Sequence, residues 1–145
     1  MDPRIAKQIL HIEGSRENQA VKIFRESTDR HKAMIAKQRE FEEYRAEHDR
    51  QISELGRRGT SIDSDVLKNY HQFKGALDSA IGQHNGLINE SEAKVEDSHS
   101  AWSASHRRRQ ALEQLIDNQN REKRLFQDKR EQKIMDELGM SLQTH

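Results

Sequence analysis

Sheltered-type residues recur along this chain in alternating steps of four and three, and almost nothing interrupts them. In the first half the positions are Ala20, Phe24, Ser27, His31, Met34, Gln38, Phe41, Arg45, His48, Ile52 and Leu55. A 3.5-residue period puts them on one narrow stripe of an α-helix, the seam of a coiled coil with polar intrusions. Upstream, Ile5, Ile9 and Ile12 extend the stripe after one extra step of four near Arg16. Such a stutter locally unwinds a supercoil. In the second half Val66, Tyr70, Phe73, Leu77, Ala80 and His84 keep the rhythm. After another stutter Ile88, Ser91, Val95, Ser98, Trp102, Ser105, Arg109, Leu112, Ile116, Gln119, Lys123 and Phe126 continue it. Small Ser91, Ser98 and Ser105 imply close or loose packing in that stretch.

The break between the two rhythms is the segment 56–63, with two glycines, Gly56 and Gly59, that permit positive φ. Asp2 before Pro3 reads as a helix N-cap with proline at the first helical position, where its missing N–H costs nothing. Asp63 or Ser64 can cap the second helix, and Gly139 suits a C′ position. The expected fold is all-α: a single coiled-coil domain, residues 1–145, with a helix 3–55, a loop 56–63, a helix 64–138 and a frayed tail 139–145. A short loop between long helices makes them antiparallel neighbours. Folding back from the loop, the first helix runs out beside residue ~116, so the second overhangs from near Asn118 to Leu138. A lone helix of that length is marginal in water unless something binds it. The overhang carries Leu125, Phe126, Ile134, Met135 and Leu138 amid Arg121, Lys123, Arg124, Lys129, Arg130 and Lys133.

Composition separates this reading from its rivals. Only 32% of residues are hydrophobic and 34% are charged, too few apolar groups for a thick globular core. Disorder shares that composition but does not explain a rhythm held over so many heptads. Net charge is +0 with the signs interspersed, which argues against nucleic acid as a partner and against a membrane-surface helix. There is no cysteine, hence no disulfide and no thiol chemistry. No apolar run approaches the ~18 residues of a membrane span, and the N-terminus opens no signal peptide, so a cytoplasmic location is expected.

No phosphate loop, dinucleotide fingerprint, zinc-protease motif or nucleophile elbow occurs, so neither an enzyme nor a cofactor is expected. His99 and His106 stand seven apart with no third ligand at helical spacing, and read as seam or solvated residues rather than metal ligands. Arg107-Arg108-Arg109 admits two readings: a phosphate or acidic-surface contact, or solvated side chains whose stems cover the seam. Near the loop, Tyr70, Leu77, Ile81, His84 and Ile88 already supply a seam. Phe73 and Ala80 widen the stripe, facing Phe41, Tyr44 and His48, and these residues are either plain seam or an exposed interaction patch. Gly75, Gly82 and Gly86 beside that patch each cost about 1 kcal/mol of helix propensity, and local bending on partner binding is the expectation there. Polar seam residues His31, Gln38 and Arg45 disfavour a hydrophobic dimer, and a monomer is expected.

At these residues the sequence resembles the flagellar FliJ family, soluble components of the flagellar type III export apparatus. The resemblance is carried by Asn69-Tyr70-His71-Gln72-Phe73, Leu77, Ala80-Ile81, Gln83-His84, Trp102 and Arg109-Gln110-Ala111-Leu112-Glu113. It resumes over Asp128-Lys129-Arg130-Glu131-Gln132-Lys133 and Met135-Asp136-Glu137. It implies a coiled-coil stalk like that of rotary ATPases, held in the ring of the flagellar export ATPase and promoting its assembly and activity. It also implies a link to the cytoplasmic domain of the export gate membrane protein, contact with export chaperones, and a peripheral place at the cytoplasmic face of the inner membrane. The gate-contacting surface carries over onto Phe41, Tyr44, His48, Phe73, Leu77, Ala80 and His84. Lys37 stands where glutamine is common in relatives, and His48 where tyrosine is common. The ATPase ring would meet the overhang at Arg121, Arg124, Phe126, Arg130, Lys133 and Met135. The equivalent stalk of a virulence-type secretion system and a generic coiled-coil scaffold are the alternatives.

Overall fold

The computed structural model describes residues 2–59 and 62–143. Two helices account for nearly all of them, α1 (Pro3–Arg57) and α2 (Ser64–Gln143), and no strand occurs among the described residues. Asp2 caps α1: the Arg4 amide donates to its Oδ1 at 3.0 Å, and the Ala6 amide to its carbonyl at 3.0 Å. Asp63 does the same for α2, its carboxylate accepting from the Asp65 amide at 3.4 Å and its carbonyl from the Leu67 amide at 3.0 Å. Gly59 sits at φ 67°, the left-handed conformation that glycine adopts without penalty, and it turns the chain out of α1. The expected loop residues Thr60 and Ser61, and the tail residues Thr144 and His145, lie outside the described residues.

Both helices run further than their glycines suggested. Gly56 is the penultimate residue of α1, and Gly139 lies within α2 rather than beyond its end. A glycine stops a helix when a following proline or a left-handed backbone enforces the stop. After Gly139 come Met140, Ser141 and Leu142, which continue the helix.

Contacts divide the chain into two units. In the loop-bearing unit, Ala20–Ala101, the helices run antiparallel, for partners on α2 fall as those on α1 rise. His31 meets Ser91, Gln38 meets Asn85, Arg45 meets Asp78 and Asp49 meets Tyr70. Every expected α1 seam position from Ala20 to Ile52 is shielded from solvent, and Leu55 is exposed. On α2, with Ala80 partly covered beside them, the seam positions are Tyr70, Lys74, Leu77, Ile81, His84, Ile88, Ser91, Val95 and Ser98. Their steps of four and three are unbroken, so the stutter expected after His84 is absent. Val66 and Phe73 leave the seam, 44% and 47% exposed, because Lys74 and Ile81 hold it.

The second unit joins Met1–Gln19 to Trp102–His145. Of the three isoleucines expected in the seam only Ile9 is shielded, together with Ala6, Leu10, Glu13 and Glu17, while Ile5 and Ile12 are each half-exposed. Counting fours and threes back from Ala20 gives Glu17, Glu13, Leu10 and Ala6, so no stutter falls near Arg16. On α2 the seam continues through Trp102, Ser105, Arg109, Leu112, Ile116 and Gln119. Eleven residues on from the Arg108–Glu13 ion pair, α1 has run out at Asp2 and α2 has reached Gln119. From Asn120 to Gln143 every residue is exposed, including Lys123 and Phe126, which therefore do not belong to the seam. Among the described residues only Ala6 and Ile81 are buried apolar side chains, and neither is wholly out of solvent, as expected where one helix has one neighbour to hide behind.

Candidate partner-binding surfaces

In the loop-bearing unit the seam separates two faces of opposite character. One is polar and paired across the seam. Tyr70 Oη donates to Asp49 Oδ1 at 2.5 Å, and Lys74 Nζ lies 3.5 Å from the same carboxylate. Arg45 meets Asp78 at 3.4 Å, and the Gln38 amide donates to Asn85 at 2.6 Å. The Tyr70 hydroxyl, then Lys74, holds the Asp49 carboxyl below the usual carboxylate range, although desolvation opposes them.

The other face is apolar and open. Phe73, Ala80 and Leu87 stand one residue before the seam positions Lys74, Ile81 and Ile88, with Val66 a heptad earlier. On α1 the corresponding place is taken by Lys37 and Tyr44, just before Gln38 and Arg45. In an antiparallel pair these two sets share a face. The Phe73 ring confirms it, 4.5 Å from His48 across the seam, and so does a groove lined by Ile23 and Arg30 of α1 with Lys94 of α2. Leu87 is 45% exposed and Tyr44 64%.

This face gathers the seven residues carried over for the export gate. Phe41 and His84 meet edge to face at 5.5 Å, and His48 packs between Tyr70 and Phe73, 4.7 Å and 4.5 Å from their rings. The His84 ring donates from Nε2 to the Met34 carbonyl at 2.6 Å, which fixes its orientation. Phe41, His48, Leu77, Ala80 and His84 are partly covered and form the floor, and Tyr44 and Phe73 project. Lys37 lies over the Phe41 ring at 5.5 Å and pairs with Glu40 at 3.5 Å. Sequence reasoning missed Leu87 and kept Val66 in the seam. Spacing from Phe73 in sevens reaches both.

In the termini-bearing unit the residues carried over for the ATPase ring, Arg121, Arg124, Phe126, Arg130, Lys133 and Met135, all lie on the stretch of α2 without a neighbouring helix. Phe126 is 68% exposed and Met135 70%, among the most open large apolar groups of the chain. The Arg107-Arg108-Arg109 cluster is different: each arginine has a partner within the chain. Arg109 bonds Glu17 and Glu113, Arg108 reaches Glu13 at 3.8 Å, and Arg107 donates to Ser103 at 3.1 Å. His106 Nδ1 lies 2.7 Å from the same Glu17 carboxylate. Glu17 is thus a buried acid gripped by an arginine and a histidine. The Arg109 bond above all, with that of His106, holds its carboxyl below the usual range against the opposing effect of burial. The sequence reading did not single out Glu17. Its signal was a heptad step that lands on a charge.

Among the described residues no group of three or more His, Cys, Asp or Glu could hold a metal ion, and no helix is long and apolar enough to cross a membrane.

The class defined by this fold is the two-helix antiparallel coiled-coil hairpin. The family model described as "Flagellar FliJ protein" matches residues 7–144, nearly the whole chain. The chain belongs to the FliJ family, non-catalytic components of flagellar type III protein export. No curated protein and no solved structure is significantly similar to it.

Proposed function

We propose that this chain is the stalk of the flagellar export ATPase ring, promoting the ring's assembly and activity and linking it to the export gate. The ring grips the termini-bearing unit, and the cytoplasmic domain of the gate protein docks on the open face of the loop-bearing unit. Emptied export chaperones meet the same protein, which works peripherally at the cytoplasmic side of the inner membrane. The observation that carries this reading is the run from Asn120 to Gln143: a helix exposed on every side, rich in cations, with Phe126 and Met135 in the open. A helix that buries nothing draws little stability from its own chain and gains much from a partner. Membership of a flagellar export family supports the export ATPase as that partner, over the equivalent ring of a virulence system.

Adding the full chain to a cognate export ATPase is expected to raise both oligomerisation and turnover. The double variant Phe126→Asp, Met135→Asp, which alters only exposed positions, should lose at least four-fifths of that stimulation. Loop-end variants such as Phe73→Ala should retain it. Stimulation unchanged by the double variant, or absent with the full chain at saturation, contradicts the proposal.

A further inference from the structure

The first turns of α1 carry charge inside the seam. Between residues 3 and 17 the shielded side chains are Ala6, Ile9, Leu10, Glu13 and Glu17. Counting outward from the Arg108–Glu13 pair, Leu10 and Ala6 come opposite Leu112 and Ile116, a small apolar island. Inward of it the seam is polar on both helices, with Glu13 and Glu17 on α1 and Ser105 and Arg109 on α2. Glu17 is held by Arg109 and by His106, and Arg109 also by Glu113. Glu13 meets Arg16 of its own helix at 3.4 Å and Arg108 at 3.8 Å, yet its Oε2 is out of water and accepts no hydrogen bond. The buried Ser105 hydroxyl has no partner either. Buried polar atoms left unpaired weaken the closed seam. Gly14, inside the polar block, lowers helix propensity there.

We infer that residues 3–17 of α1 form a latched strap, which leaves α2 as a unit while the loop-bearing unit stays paired. The apolar island fastens its outer end, and the Glu17–Arg109–His106 cluster its inner end. A buried ion cluster is a sharp fastening, because separating it strands charges that were matched. Once released, an arm this short is marginal as a helix, so it opens as a whole. Opening uncovers His106, Arg109, Leu112 and Ile116, and extends the single-helix stretch of α2 back from Asn120. The strap thus sets how much of α2 a partner can reach. It belongs to the free chain and does not depend on the export ATPase being that partner.

Hydrogen exchange of the free full-length chain, followed amide by amide by NMR, reads the opening. Amides of residues 8–16 should be protected alike, to within about threefold, and should exchange at least about tenfold faster than those around Ser91. Glu17→Gln should speed residues 8–16 at least about fivefold, because the latch is lost in the closed state alone. Ile81→Val trims a buried side chain of the loop-bearing unit. It should speed the amides around Ser91 at least about threefold and leave residues 8–16 unchanged, since Ile81 stays packed when the strap opens. The wild-type and Ile81→Val measurements leave the strap itself unaltered, and they decide the matter even if Glu17→Gln does not fold. Protection that declines smoothly toward Pro3 is end fraying and overturns the strap. So does exchange of residues 8–16 as slow as that around Ser91, or Ile81→Val speeding both alike, since the chain would then open as one body. Residues 8–16 untouched by Glu17→Gln would overturn the latch.

Discussion

Glu17 shows what a narrow seam does with a charge. It is buried, yet its carboxylate accepts from Arg109 and faces His106. A buried acid without such partners would be strongly unfavourable. Because the folded carboxyl is held below its ordinary value of 4.5, the linked stability is fully present above that pH and is lost as pH falls through the lower folded value. Thermal melts should therefore show the wild type losing stability as pH drops from ~5 toward ~3, with Glu17→Gln less stable at neutral pH and less sensitive to acid over that interval. Identical slopes for the two proteins would remove Glu17 from the account. Replacing Glu17 and Arg109 together by leucine should recover the stability that Glu17→Gln loses, since an apolar pair of similar volume can substitute for a buried ion pair. The heptad count was legible at this scale, but the identity of the buried residue ran against it. Ile5 and Ile12 drew the reading because hydrophobicity usually marks a seam, whereas here the register persists and an ion pair fills it. Ser91 behaves similarly. Its hydroxyl donates to the Ile88 carbonyl at 2.8 Å, so it accepts from the Nδ1–H of His31, also at 2.8 Å.

At the scale of the helix the sequence was most readable. Asp2-Pro3 and Asp63 start α1 and α2 as capping chemistry requires, and the single positive-φ glycine lies in the expected loop. The ends were less readable because a glycine is permissive rather than prohibitive. Gly56 and Gly139 stay helical, and so do Gly75, Gly82 and Gly86. A Cβ placed on any of those last three meets nothing within 4 Å. Each can thus be replaced by alanine without a clash, and Gly82→Ala should stabilise the protein by ~1 kcal/mol in chemical denaturation. If these glycines let α2 bend onto a partner, the triple variant Gly75→Ala, Gly82→Ala, Gly86→Ala should melt higher and bind the gate domain less tightly. Higher stability with unchanged binding would leave the glycines no part in recognition.

Over the whole molecule the division of labour follows from where helix surface is covered. The loop-bearing unit pairs its polar face across the seam and leaves Phe73 and Leu87 open; in the termini-bearing unit α1 ends while α2 continues as a single helix. Helix length and loop position made the unpaired stretch legible from sequence, to within a few residues of its start at Asn120. The sidedness of the loop-end face was not, because assigning Phe73 and Ala80 to the seam hid the fact that Lys74 and Ile81 occupy it. Hydrogen exchange of the full chain, alone and with the cognate export ATPase, tests the central claim most directly. Amides from 120 to 143 should exchange fastest among the helical residues of the free protein and become protected when the ATPase is added, while those around Ser91 and Ser98 are protected throughout. Protection of 120–143 in the free protein equal to that of the paired helices, or no gain on adding the ATPase, would contradict it.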